Sequence, residues 1–372
     1  MRERAAMTVA RSVHERFCRG EARMAWPNIM KMAAVAMIAL TATASAQQSA
    51  DQAADQAGGT LNSRLSGDLV PTHDPVIIRE GDTYHVFGTG NGGRYIETRT
   101  SKDLVHWTSG GALFDTIPDW AKKAIPGTDG MWAPDISFVK GRYRLYYSVS
   151  TFGSNRSAIG LFSSPTLDPK APGYGWRDEG LVVMSTPADD FNAIDPNFII
   201  DREGRHWLSL GSFWSGIKLF QLDPKTGKPL KAGEKPYSLA RRLAPAGGPA
   251  PVEAPFIVSH GGYYWLMVSY DYCCKGVNST YYTVIGRSKA ITGPYLGKDG
   301  SPLMEGKGTI FLRADLKEQQ RFRGPGHAGW LHDRDGKDYV VYHAYDREAK
   351  GAPTLRIAPV RWGADGWPVA EY

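Results

Sequence analysis

Three cysteines in 372 residues are too few for a disulfide framework, and no paired Cys/His spacing offers a zinc site. Helix-period stretches are nearly absent, which argues against a helical bundle. Three common chemistries have no motif here: a G-x-S-x-G elbow, a Walker loop and a dinucleotide fingerprint in a βαβ context are all missing. The GTGNGG run at 88–93 is a turn between strands, with no helix behind it to hold a phosphate. Charge of one sign is not concentrated in the body of the chain. Much of the formal net charge of +6 lies upstream of residue 47, so neither nucleic acid nor a membrane surface is an expected partner. What is abundant is glycine (42) and aromatic residues (11 Trp, 18 Tyr, 13 Phe), which suits many short strands joined by tight turns. The expected class is all-β.

The apolar run AAVAMIALTATASA at 33–46, behind Lys31 and ending in Ala44-Ser45-Ala46, has the form of a secretory signal and its cleavage site. It is too short to span a bilayer as a stable anchor. Residues 1–46 are therefore expected to be a signal peptide, with Met24, Met30 or Met32 as alternative starts and Gln47 as the first mature residue. The small polar residues 47–70 are expected to form a linker, and 71–372 the folded domain, working as a secreted or periplasmic monomer.

That domain repeats one unit five times: HDPVIIREGDTYHVFGTG, WAPDISFVKGRYRLYYSVS, IDPNFIIDREGRHWLSLGS, EAPFIVSHGGYYWLMVSY and GHAGWLHDRDGKDYVVYHAY. Each has a polar residue, a strand-like run, a turn (EGD, KG, REG, HGG, RDG) and a second, aromatic strand. The polar residues Asp74, Asp135, Asp195, Glu253 and His327 are spaced by 61, 60, 58 and 74 residues. Units too small to bury their own faces must stack, and five of them predict a five-bladed β-propeller. If each first strand is innermost, its leading residue points to the central axis. Four carboxyls and an imidazole would then converge in one cleft.

Such a ring is costly to desolvate unless it binds a cation or performs acid–base chemistry. Taken singly, each acid is equally well explained as a strand-start cap on local backbone N–H groups. Asp135 keeps that alternative most open, because it follows its proline. Two functions suit a carboxylate cleft with aromatics near it: glycoside hydrolysis by a proton donor and an ionised base, or sugar binding without turnover. Trp132, Phe152, Trp214 and Tyr270 lie at the ends of expected strands, where they could stack on sugar rings or fill gaps between blades.

The blade-start pattern HDP, WAPD, AIDP, EAP, together with GSFWSGIKL, CCKGVNSTY and GPGHAGW, resembles the arabinanases of glycoside hydrolase family forty-three. The resemblance runs from His73 to the last repeat. It implies hydrolysis of internal α-1,5-L-arabinofuranosyl bonds of arabinan with inversion. Exo-acting relatives, such as α-L-arabinofuranosidases and β-xylosidases, are the alternative. By the same resemblance Asp74 is the general base, Glu253 the general acid and Asp195 the carboxylate that orients the acid and raises its pKa. An inverting pair stands about 6.5–9.5 Å apart to admit water. Trp132, Asp135, Phe152, Asn192, Trp214, Ser215, Asn278, Ser279 and Thr280 are the implied substrate-binding residues.

His327 in GPGHAGW matches the family's central histidine, which implies either a calcium ion in the channel, contacted through water because calcium rarely takes nitrogen, or an imidazole bonded to an axial water or acid. Cys273 and Cys274 are adjacent. They are either a vicinal disulfide that stiffens the loop carrying Asn278–Thr280, or two free buried thiols.

Overall fold

The structure is a computed structural model that describes residues 59–231, 233–244, 250–314 and 321–372. The expected signal peptide lies outside the described residues, as does the first part of the expected linker. Among the described residues of the compact unit Thr60–Tyr372, 22 strands form five sheets. No helix of the described residues is long and apolar enough to cross a membrane.

Each blade is an antiparallel four-stranded meander that starts at an inner strand; the first sheet adds Ser66–Gly67, parallel to His106–Phe114, and the second adds Gly90–Asn91 against Gly130–Val139. The five inner strands are Val76–Glu80, Gly130–Val139, Asn197–Ile200, Val252–His260 and Phe322–His332. Each packs against the next, and the fifth packs against the first. The ring closes, and the fold is a five-bladed β-propeller. The turns expected from EGD, KG, REG, HGG and RDG join each inner strand to the second strand of its blade. Gly141 and Gly262 occupy the positive-φ positions there (80° and 76°) that residues with a Cβ avoid.

Strand alternation sends side chains to both faces of every blade, so the core is five wedges, one between each pair of neighbours. Phe87 and Ile96 of the first blade meet Tyr147 and Val149 of the second. Phe198 and Leu208 of the third meet Leu161 and Val183 of the second. The remaining wedges join the third blade to the fourth and the fourth to the fifth. The closing wedge, between fifth and first, takes in Leu61, Trp107, Val341 and Ile357.

That wedge corrects the expected linker boundary. Residues 60–70 are part of the compact unit, because the short helix Leu61–Arg64 packs on the strand Ala352–Trp362. Asn62, 2% exposed, donates to the Tyr342 hydroxyl at 3.0 Å and accepts from the Ile357 N–H at 3.0 Å. Both ends of its amide are thereby satisfied, as is the rule for buried polar groups.

Antiparallel order puts the start of each inner strand and the end of each second strand at one end of the propeller. The loops 89–94, 150–156, 211–216, 271–281 and 347–351 gather there too, and the tight turns lie at the other end. Chemistry-bearing loops on one face and short turns on the other is the arrangement a site needs.

Candidate active site

Five residues with positive φ mark the start of the blades: Asp74 (50°), Ala133 (43°), Asp195 (58°), Ala254 (55°) and His327 (50°). Non-glycine residues seldom adopt this conformation, and here every one has its N–H held by an acceptor. Asp74 donates to His343 Nδ1 (3.1 Å), Ala133 to Thr89 Oγ1 (2.8 Å), Asp195 to Ser148 Oγ (2.9 Å) and His327 to Ser269 Oγ (2.9 Å). The acceptors Thr89, Ser148, Ser269 and His343 occupy matching positions at the end of the preceding blade's second strand. The third blade has Gly211 at that place, with no side chain to offer. Ala254 donates instead to Asp195 Oδ2, at 3.1 Å.

This ring refines the expected one. Its members are equivalent at Asp74, Ala133, Asp195, Ala254 and His327. Glu253 stands one residue before the equivalent position and Asp135 two residues after. The bulges between Trp132 and Asp135, Glu253 and Phe256, and Gly326 and Gly329 insert the extra residue that re-aims the chain. Glu253 reaches the site from the pre-bulge position. Asp135 turns away: its carboxylate accepts from the Phe198 N–H (2.8 Å) and Asn197 Nδ2 (3.3 Å) and stitches the second blade to the third. Burial, opposed by those two bonds, raises its pKa to about 7.

Asp74, 8% exposed, sits in a cage of donors. His73 Nδ1 is 2.8 Å and Thr89 Oγ1 2.5 Å from Oδ2, and His327 Nδ1 is 3.0 Å from Oδ1. Burial pushes this carboxyl up, but the fields and hydrogen bonds of His73 and His327 outweigh it and hold the group well below its ordinary value. Burial also opposes the charge on His327, yet Asp74, Asp195 and Glu253 together lift the imidazole to about 9. The pair is ionised at neutral pH.

Asp195 and Glu253 go the other way. Burial, and the negative charges of Glu253 and Asp74, raise Asp195 to about 8 against the pull of His327 and the Ala254 N–H. Burial likewise raises Glu253, opposed by the 2.8 Å bond from Ser212 Oγ to its Oε2, by the buried Tyr281 phenol beside it and by His327. One ionised carboxylate and two that resist ionisation, in one buried place, make a general base and a proton donor available at the same pH.

The chain matches the model of glycosyl hydrolases family 43 over residues 70–368. It belongs to that family. It is 45% identical over 303 residues to an extracellular endo-α-(1→5)-L-arabinanase of Bacillus subtilis, covering 80% of this chain and 86% of the relative. It is 44% identical over 310 residues to an extracellular exo-α-(1→5)-L-arabinofuranosidase of Cellvibrio japonicus, covering 81% and 87%. Among solved structures it superposes on a family 43 endo-arabinanase from Bacillus licheniformis with a TM-score of 0.74 and 46% identity, covering 82% of this chain and 99% of the other.

Other expected residues of this family 43 chain divide by exposure. Phe152 (90%) and Trp214 (38%) are exposed on loops at the acid-bearing end, and Asn278 and Thr280 are exposed in the loop 271–281. Trp132 is half-buried at the same end and donates to Asn91 Oδ1 at 2.8 Å. Asn192 Oδ1 and Ser215 Oγ are buried without a hydrogen-bond partner, an acceptor and a hydroxyl that a sugar could satisfy. Three expectations are corrected. Tyr270 is core, 1% exposed, with its hydroxyl on the Lys307 carbonyl. Ser279 is 2% exposed and holds its own loop by accepting from the Lys275 N–H. Asp135 is the stitch already described.

Cys273 and Cys274 are joined as a vicinal disulfide. Direct calcium ligation at His327 is not supported by the side chains present. Its Nδ1 is committed to Asp74, and among the described residues the side-chain groups able to converge on an ion are His73–Asp74–His343 and His73–Cys273–Cys274. Neither supplies the six to eight oxygens calcium takes, so an ion here would be held through water. The repeat did contain a signal for the unexpected site residues Thr89, Ser148, Ser269 and His343: FGTG, YYSVS, MVSY and VYHAY align them.

Proposed function

We propose that this chain hydrolyses internal α-1,5-L-arabinofuranosyl bonds of arabinan with inversion of configuration. The observation that carries this reading is the divergence of three neighbouring carboxyls, with Asp74 held ionised and Glu253 and Asp195 held toward protonation. Asp74 accepts a proton from water as the water oxygen bonds to the anomeric carbon. Glu253, held toward protonation by burial and by the Asp74 charge, gives its proton to the departing O5 as the carbon–oxygen bond breaks, and Asp195 positions it by accepting from the N–H of the next residue, Ala254. The products are two shorter chains, and proton exchange with solvent restores both groups.

Endo action is supported by the Bacillus and Aspergillus relatives named for it. Exo action is supported by the Cellvibrio relative of similar identity and by a solved exo-1,5-α-L-arabinanase from a bovine ruminal metagenomic library, 44% identical. Relatives named extracellular, together with the signal-like leader, support export. A ladder of oligosaccharides early in digestion of debranched arabinan is the expected result; a single small product from the outset overturns endo action. Glu253→Gln should lose roughly 10²–10⁴-fold on arabinan and far less on an aryl arabinofuranoside whose leaving group needs no proton. Equal losses on both would overturn its role as acid.

A further inference from the structure

Behind Asp74 runs a line of groups that ends at the disulfide. His73 Nδ1 donates to Asp74 Oδ2 at 2.8 Å, since a carboxylate offers only acceptors. His73 Nε2 is 3.0 Å from the Tyr345 hydroxyl. The Tyr345 oxygen accepts from the Cys274 N–H at 2.7 Å, which leaves the phenol proton for His73 Nε2. The His73 ring is held flat against His343, centroids 4.1 Å apart at 21°, and His343 takes the Asp74 N–H. Cys274 itself has φ 66°, a conformation that an unconstrained cysteine seldom keeps. Its Sγ lies 3.8 Å from His73 Nε2.

We propose that the Cys273–Cys274 disulfide is a positioning element for hydrolysis: it fixes the Cys274 amide on Tyr345, which orients His73 and, through it, the Asp74 carboxylate toward water. The ring of two adjacent cysteines restrains the backbone where the amide must point. An exposed loop would otherwise sample other directions, and the carboxylate would lose one of its two Oδ2 donors whenever His73 turned. Tyr345, 2% exposed, is the rigid link between loop and base. The inference rests on Asp74 being the base.

The test is kinetic, on intact enzyme with debranched arabinan. Reduction by a phosphine, with the fold checked by circular dichroism, should lower kcat roughly tenfold or more, the scale of a misplaced catalytic group, and leave KM within about twofold. Tyr345→Phe should lower kcat to a similar extent and be insensitive to reduction, because the two lesions act on one path. His73→Asn, which keeps a donor near the Nδ1 position, should retain more kcat than His73→Ala. An unchanged kcat on reduction overturns the proposal, as does an equal further loss on reducing Tyr345→Phe. If a variant fails to fold, reduction of the unaltered enzyme decides alone. Asp74→Ala separates the two levels: full activity there removes the base assignment, whereas an inactive Asp74→Ala beside a reduction-insensitive parent removes only the relay.

Discussion

The Asp74 carboxylate and the His327 imidazole meet at 3.0 Å in the middle of the propeller, each holding the other charged. His327 belongs to the fifth blade and Asp74 to the first, so the ion pair spans the seam at which the ring closes. Because Asp74 lies well below its ordinary pKa and Glu253 above its own, kcat/KM should stay flat into mildly acidic solution. It should fall on the alkaline side as the Glu253–Asp195 pair loses its proton. His327→Ala removes the cation beside the base, so the acidic limb should move up by roughly 1–3 pH units. A pH–rate profile of both enzymes checks this, and an unmoved acidic limb would separate Asp74 from His327.

Asp195 makes the opposite prediction for stability. Its folded pKa of about 8 lies above the ordinary carboxyl value, so between those two points the folded state binds the extra proton. The stabilisation is complete below the ordinary value and is lost as pH rises toward 8. Asp195→Asn removes a buried carboxyl that resists ionisation, and should raise stability at pH 8 by roughly 1–2 kcal/mol while abolishing activity, a trade familiar at active sites. Thermal melts at pH 5 and pH 8 measure it. The variant's advantage should be present at pH 8 and small at pH 5, and a constant offset would mean that titration of Asp195 is not the cause.

The hydroxyls that hold the positive-φ residues carry a cost of their own. Ser269 is fully buried and is the acceptor for the His327 N–H. Ser269→Ala leaves that donor unsatisfied beside the site, which should cost about 1–3 kcal/mol. Ser148→Ala should do the same through Asp195. Urea unfolding reads both losses, and a change below about 0.5 kcal/mol would be that of an ordinary surface substitution.

The repeat of HDP, WAPD, IDP, EAP and GHA was enough to read five blades, because turn glycines and alternating apolar strands are local signals that the propeller does not override. The ring of acids was legible in kind but displaced in register. A bulge adds one residue without altering the alternation that surrounds it, so Glu253 and Asp135 looked equivalent to Asp74 although they stand on opposite sides of Ala254 and Ala133. Asp135 was placed in the ring for the same reason, although its structural alternative was the most open: two residues past Ala133, it points at the neighbouring inner strand. Asn62 was hidden by composition, since a polar residue in a stretch of small residues reads as solvated until the fifth blade is seen to cover it. The cage around Asp74 was the least legible part. His73 precedes Asp74 and Thr89 faces it across the first blade's hairpin, but His327 comes from the fifth blade, and only closure of the ring brings it to them.

The exposed aromatics give the last prediction. Trp214 follows Phe213, both at positive φ (41° and 55°), in the loop that also carries Ser212, the hydrogen-bond donor to Glu253. A strained backbone on a loop tied to the proton donor fixes where the indole can stand, and a fixed indole is useful for stacking on a sugar ring next to the scissile bond. Stacking of this kind is worth about 0.5–1.5 kcal/mol beyond area burial. Trp214→Ala should therefore raise KM for arabino-oligosaccharides roughly two- to tenfold, with the larger effect on longer chains and little change in kcat. Phe152→Ala, at a position 90% exposed on the neighbouring blade's loop, should show a rise only with substrates long enough to reach it. Steady-state kinetics on a series of defined oligosaccharides reads both, and a KM independent of chain length in Trp214→Ala would remove that residue from the substrate path.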